Sequence, residues 1–217
     1  MSARIWSLTP DDLGALWDEC RRCFYLAAGT GFPRPTATTT SADGLERRLI
    51  DSLGDRRTET VDAGMPAGVF VRAHRCVQSE PISVQVPDQW LRCHIRGVLD
   101  LLLALDDGTL GVIDVALAAP RTAARTRRLH AWAHALESAG AGKVSALGVL
   151  VSEPRPARDP LAGVSGAWAW EPVERDDSAF YGFLAEALSV LELPAPPGGT
   201  PLCPWCVYRD ASRRTGY

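Results

Sequence analysis

The chain has 217 residues, 46% hydrophobic and 23% charged, with a net charge of −3. That is enough for one domain with a well-buried core, and the charge balance excludes a general electrostatic pull toward nucleic acid, so any such site must be local. No basic, apolar, small-residue signal opens the chain and no apolar stretch approaches roughly 18 residues, so export and membrane spanning are not expected and the expected location is the cytoplasm.

Thr9-Pro10-Asp11-Asp12 reads as a helix start, and Leu13, Leu16, Trp17, Cys20 and Phe24 recur at helical spacing, so one helix is expected over 10–28. The Pro- and Thr-rich stretch 32–42 reads as an irregular crossing segment, and 45–53 as a short helix. Residues 68–86 alternate as two strands broken near Gln78. Between Gly97 and Ala116 two apolar runs flank Asp106-Asp107-Gly108, a strong hairpin signal. Residues 123–138 form the best helix, with Leu129, Trp132, Ala133 and Leu136 as its apolar stripe and Gly140 just past its end. Residues 144–151 read as a strand buried on both faces, 167–170 as a short edge strand, and Asp176-Asp177-Ser178 as the start of a last clear helix reaching about Leu191. A Pro/Gly linker then leads to Cys203-Pro204-Trp205-Cys206. The expected fold class is α/β: a mixed central sheet flanked by helices, in one domain with its core at about 68–192 and cysteine-bearing segments at 10–28 and 201–217.

The hairpin sets one carboxylate on each arm, Asp100 and Asp114. Like charges held together in an apolar sheet share a proton or bind a cation, and an all-oxygen pair suits Mg²⁺ or Mn²⁺. The alternative is that Asp100 caps a turn and Asp114 pairs with an arginine. On the following helix Arg121, Arg125 and Arg128 project from one side, as a solvated basic face or as a grip on phosphates. His130 and His134 lie one turn apart, but no Glu follows His130 in a zincin pattern and structural roles are expected. Cys20-x-x-Cys23 and Cys203-x-x-Cys206 read together as a four-thiolate site for Zn²⁺ or an iron-sulfur cluster that clasps the two termini.

Gly97-Val98-Leu99-Asp100, a short hairpin and Asp114-Val115-Ala116 resemble the Gly-x-x-Asp and Asp-x-Lys core of the PD-(D/E)XK nucleases, in particular the RecB-like exonuclease branch, with Ala116 at the lysine position. Cys20-Arg21-Arg22-Cys23-Phe24-Tyr25-Leu26 is similar to the opening of RecB-like domains, and Cys206-Val207-Tyr208-Arg209 to their end. The resemblance implies a restriction-endonuclease-like fold and a metal-dependent nuclease acting on single-stranded DNA or duplex ends, with Asp100 and Asp114, joined by Glu80 from the preceding strand, holding Mg²⁺ or Mn²⁺. It also implies an alternative, a catalytically inactive member that binds nucleic acid or serves as a scaffold. Lys143, the only lysine, or Arg125 would have to replace the missing cation at Ala116. His74 falls where some relatives carry an active-site histidine. Arg128 and Trp132 occupy the positions of a Gln-x-x-x-Tyr element that contacts DNA, with Trp132 expected to stack on a base or to pack. In relatives with a 4Fe-4S cluster one early cysteine joins three late ones spaced Cys-x-x-Cys-x5-Cys; here Ser212 stands at the last of these and Cys23 would supply the fourth ligand.

Overall fold

The computed structural model describes residues 4–31, 41–117, 122–155 and 165–215. Within them a seven-stranded mixed sheet is flanked by helices. The strands are β1 (Ile5–Leu8), β2 (Gly68–Gln78), β3 (Ile82–Val86), β4 (Gln89–Leu105), β5 (Leu110–Leu117), β6 (Val144–Arg155) and β7 (Ser165–Pro172); the helices are α1 (Trp17–Glu19), α2 (Arg21–Phe24), α3 (Ser41–Leu53), α4 (Ala123–Ser138), α5 (Asp177–Leu191) and α6 (Pro204–Thr215). The expected crossing segment, apart from its last residues in α3, lies outside the described residues, as does Arg121.

The long strand β4 organises the sheet. Its first half pairs with β1 in parallel and with β3 antiparallel, and its second half with β2 and β5. The β4–β5 hairpin turns through Gly108, which adopts φ +82, a left-handed conformation glycine enters without a Cβ penalty. A parallel step from β5 to β6 then needs a crossover, and α4 supplies it. Helices cover both faces at the centre, which is why β5 is buried from Gly111 to Ala116. One face packs Val112, Ala116, Leu129, Trp132 and Leu136 against α5 through Phe180, Leu184 and Leu188; the other packs Leu101, Leu103, Ile113 and Leu150 against Leu53, Met65 and Phe70.

The single N-terminal helix expected from periodicity is broken into short pieces. Thr9 and Asp12 cap each other, Thr9 N–H donating to the Asp12 carboxylate at 2.8 Å and Asp12 N–H to Thr9 Oγ1 at 3.1 Å. The backbone then leaves helical geometry at Gly14, which lies close to the Ala124 carbonyl, and becomes extended at Cys20 (φ −166, ψ 113). Periodicity reports which side is apolar; it carries no mark of the break at Cys20, a residue that meets Cys206 from the far end of the chain.

Where α4 meets α5, His130 is 3% exposed; it accepts the Asp176 N–H at Nε2 (2.8 Å) and donates from Nδ1 to the Thr126 carbonyl (2.8 Å). His134 stacks on Phe180 beside Asp177, and Arg175 bridges Glu137 and Asp177. These histidines are structural. Burial holds the His134 pKa below its ordinary 6.5, against the opposing pull of Asp177. Hydrogen bonding to Arg175 holds Glu137 and Asp177 below their ordinary 4.5 and 3.8. An imidazole depressed in the folded state binds fewer protons there than in the unfolded chain, so acidification through 6.5 favours unfolding; the carboxylate contributions persist above their ordinary values and are lost as pH falls through their folded ones. We therefore expect the melting temperature to decline from pH 7 to 5.5 and again below pH 4.5, and His134→Gln to flatten the first decline. Thermal melts across this range test it, and an unchanged first decline in the variant contradicts it.

Candidate functional site

Two sites emerge, an acid cleft beside β4 and a cysteine cluster joining the termini. Strands β4 and β5 pair at Leu103 with Gly111 and at Ala104 with Leu110, next to the turn, and Asp100 and Asp114 lie further along the two strands. Both line one small cavity of about 50 Å³ together with Arg128, Leu129 and Trp132. A larger open cleft of about 670 Å³ adjoins it, lined by Asp11, Arg47, Asp51, His74, Asp100 and Arg128. Asp100 and Arg128 belong to both, so the acid pair opens onto solvent through Asp100.

The two acids live in different environments. Asp100 is 58% exposed, and His74 Nδ1 lies 3.4 Å from its Oδ1. A β-bulge brings that histidine in: between Arg72 and Arg75 the β2 register slips, so that Ala73 and His74 stand opposite Asp100 alone, with His74 at φ +35. Such a conformation costs a non-glycine residue on the order of 1 kcal/mol or more, and bulges of this kind re-aim a side chain. Asp114 is only 6% exposed. Arg125 Nη1 donates to its Oδ2 at 2.6 Å and to the Val115 carbonyl at 3.4 Å, while Arg128 Nη1 lies 3.4 Å from its Oδ1. Arg128 also reaches the exposed Asp11 at 3.2 Å. One guanidinium thus takes the carboxylate oxygen and the neighbouring carbonyl oxygen, the hard donors a divalent cation would need, and both Asp114 oxygens face an arginine. Two positive charges at that carboxylate oppose a dication by Coulomb repulsion in a poorly solvated place. Mg²⁺ or Mn²⁺ does not fit the site in this arrangement.

The other expected members are not brought together. Glu80 is exposed, and its N–H donates to Ser138 Oγ at 2.7 Å, at the far end of α4. At a rise of about 1.5 Å per residue that is roughly 20 Å along the helix from Arg125, which removes Glu80 as a third oxygen ligand. Lys143 is exposed beside the hairpin turn, where its carbonyl accepts the Leu110 N–H; Asp114 stands four residues further along β5, about 13 Å away, so Lys143 does not reach the acid pair. Trp132, 7% exposed, packs on Gly97 so closely that a Cβ there would lie 2.8 Å from its ring. Base stacking is not open to it. Asp11, Arg47 and Asp51 are cleft residues that no periodicity in the sequence marks.

At the termini, Cys20 and Cys23 meet Cys203 and Cys206, all four buried with sulfurs within 4.8 Å of one another. Among the described residues this is the one group of three or more Cys, His, Asp or Glu placed to hold a metal. Cys20 Sγ lies 3.6 Å from Cys206 Sγ, and Cys23 Sγ lies 3.6 Å from Cys203 Sγ and 3.8 Å from Cys206 Sγ. Gly199 crosses over the cluster, where a Cβ would come within 2.9 Å of Cys206 Sγ. Burial raises thiol pKa values, and it carries Cys206 up to about 11; Cys20 is held down to about 7 against burial by the N–H groups of Cys23 and Thr200 and by neighbouring thiols. Cys93, buried alone in the sheet, is pushed up to about 12 and is an inert core residue. Four buried soft donors of this kind can hold a metal such as zinc or a cluster.

No protein-family model matches the chain, and no curated protein does. Among solved structures it is similar to one described as the crystal structure of SSO0001, at 13% identity over 88% of this chain and 78% of that one, with a TM-score of 0.41. At that level the likeness carries no argument. No described helix is long and apolar enough to cross a membrane.

Proposed function

We propose that this chain is a RecB-like member of the PD-(D/E)XK superfamily that keeps the nuclease framework but has turned its cation position into an internal ion pair, leaving a domain that binds DNA ends or single strands without hydrolysing them. The observation that carries the reading is the Arg125 guanidinium on Asp114 Oδ2 and the Val115 carbonyl. Ala116 at the lysine position and the distance of Glu80 and Lys143 from the pair support it. Hydrolysis of a phosphodiester by metal-activated water needs a held cation and an open coordination position, and neither is compatible with a guanidinium seated there.

Binding would use the larger cleft. Arg47, Arg128 and His74 line it beside the carboxylates of Asp11, Asp51 and Asp100, and Arg128 holds both Asp11, a surface carboxylate that is 75% exposed, and the buried Asp114. An exposed ion pair such as Arg128–Asp11 is worth at most about 1 kcal/mol, so a phosphate can compete with Asp11 for Arg128 Nε at little cost while Nη1 stays with Asp114. With so few cations, binding should be weak and lose affinity with salt at a log–log slope of about −2.

Fluorescence anisotropy with labelled single-stranded and duplex DNA, run beside a cleavage assay in Mg²⁺ and in Mn²⁺, tests both halves. The expected result is salt-sensitive binding with no product, weakened about tenfold or more in Arg128→Ala. Metal-dependent cutting that disappears in Asp114→Ala would establish the nuclease instead. Failure to retain DNA even at low salt would leave a scaffold whose cleft is not used for nucleic acid.

A further inference from the structure

We infer that the four-cysteine site holds a single tetrahedral zinc ion and not an iron-sulfur cluster. The spacing of the sulfurs carries the assignment, whatever the acid cleft binds. A zinc ion with Zn–S bonds of about 2.3 Å sets its four thiolates at the corners of a tetrahedron whose edges are about 3.8 Å. Three of the six separations, at 3.6, 3.6 and 3.8 Å, match that edge, and the remaining three lie within 4.8 Å.

A 4Fe-4S cluster imposes a different figure. Each cysteine binds its own iron, so the four sulfurs stand apart by the width of the cluster, on the order of 6 Å. A two-iron cluster fails in the same way, because its two cysteine pairs lie on opposite sides of two irons and their bridging sulfides. Here no two of the four ligand sulfurs are more than 4.8 Å apart. Sulfurs this close together can share one ion.

The surroundings agree with a fixed, closed site. The chain presents the ligands as two Cys-x-x-Cys pairs, Cys20 with Cys23 and Cys203 with Cys206, and so differs from the arrangement of one early and three late cysteines that accompanies clusters in the resembling family. The N–H groups of Cys23 and Thr200 are directed at Cys20 Sγ, the outer hydrogen bonding that orients and stabilises a thiolate ligand. Four thiolates around a dication leave a net negative charge, and Arg22, near Gly199 and paired with Asp210, places a guanidinium beside it. Soft sulfur donors in a closed tetrahedron select zinc among the common divalent ions.

The test uses the full chain, purified without oxygen and without a chelating tag. Elemental analysis and native mass spectrometry are expected to find one zinc per chain, no stoichiometric iron, no acid-labile sulfide and no visible colour. Exchange into Co²⁺ should give the absorption of a tetrahedral thiolate complex, and a thiol-blocking mercurial should release the zinc. Cys76→Ser, which removes an exposed cysteine outside the cluster, should retain the metal in full. A brown protein with iron and sulfide would overturn the assignment, as would a single iron without sulfide, or a folded, metal-free protein whose four cysteines react freely with a thiol reagent.

Discussion

Stripping the metal from the cysteine cluster is expected to lower the melting temperature by about 10–20 °C and to release the C-terminal helix. Structural zinc contributes on the order of 10 kcal/mol to the folding of small peptides that have nothing else. Here the segments it joins are held by other contacts as well: Trp17 packs edge-on against Phe24 and Phe183, and Arg127 pairs with Asp18 at 2.6 Å and donates to the Leu13 carbonyl. About half of the peptide value, roughly 5 kcal/mol, is a reasonable share for the metal, and each kcal/mol moves the melting temperature of a chain this size by about 2–4 °C. α6 has less to fall back on. Its half-exposed Asp210 meets Arg22 at 3.4 Å, a pair worth at most about 1 kcal/mol. Thermal melts before and after chelation, with hydrogen exchange across 200–215, measure the effect. A shift under about 3 °C would mean that the cluster is not a structural clasp.

The second large effect is expected at Arg125. In Arg125→Ala, Asp114 stays buried with Arg128, at 3.4 Å, as its remaining cationic partner among the described residues. Removing one partner of a buried ion pair typically costs about 3–5 kcal/mol because it leaves a charge without compensation. Arg128 remains and Asp100 opens the site to water, so about 2–4 kcal/mol is expected by denaturant unfolding. The same variant should gain what the parent lacks. With the guanidinium gone, the Asp114 carboxylate and the Val115 carbonyl are free for a hard cation, and Mn²⁺ at a hundred times its dissociation constant would return about 2.7 kcal/mol. Arg125→Lys should lie between, since a lysine keeps a positive charge but places a compact, strongly hydrated ammonium where the longer, weakly hydrated guanidinium brings Nη1 to both oxygens. Equal destabilisation of Arg125→Ala with and without Mn²⁺ would count against a guanidinium standing in for a metal.

Much of the framework could be read from local chemistry. Asp107-Gly108 marked the hairpin because a left-handed residue is needed there, Asp176 marked the start of α5 because its side chain accepts the Ala179 N–H, and the two Cys-x-x-Cys pairs marked the clasp because a tetrahedral site needs four soft ligands. What could not be read depends on pairs distant in the chain. Periodicity predicted a continuous helix through Cys20, but that residue, a member of the cysteine cluster, is extended. The apolar stripe of α4 placed Trp132 equally well on a base or in the core, and Gly97, 35 positions earlier, decides for the core. Glu80 followed the right strand and ended beside Ser138, at the wrong end of α4. The pairing of Asp114 with an arginine was one of two readings of that acid, and only the return of α4 over β5 shows that Arg125 reaches it. His74 became a cleft residue through a bulge, a feature with no spacing signature in the sequence.

The claim on which the rest turns is that a guanidinium fills the place of a divalent cation between β4 and β5. Manganese binding, followed by electron paramagnetic resonance on the zinc-loaded protein, tests it most directly, because Mn²⁺ prefers oxygen donors and leaves the thiolate site alone. No stoichiometric Mn²⁺ is expected on the parent chain and one equivalent on Arg125→Ala, lost again when Asp114→Ala is added. One equivalent bound tightly by the parent and abolished by Asp114→Ala would contradict it.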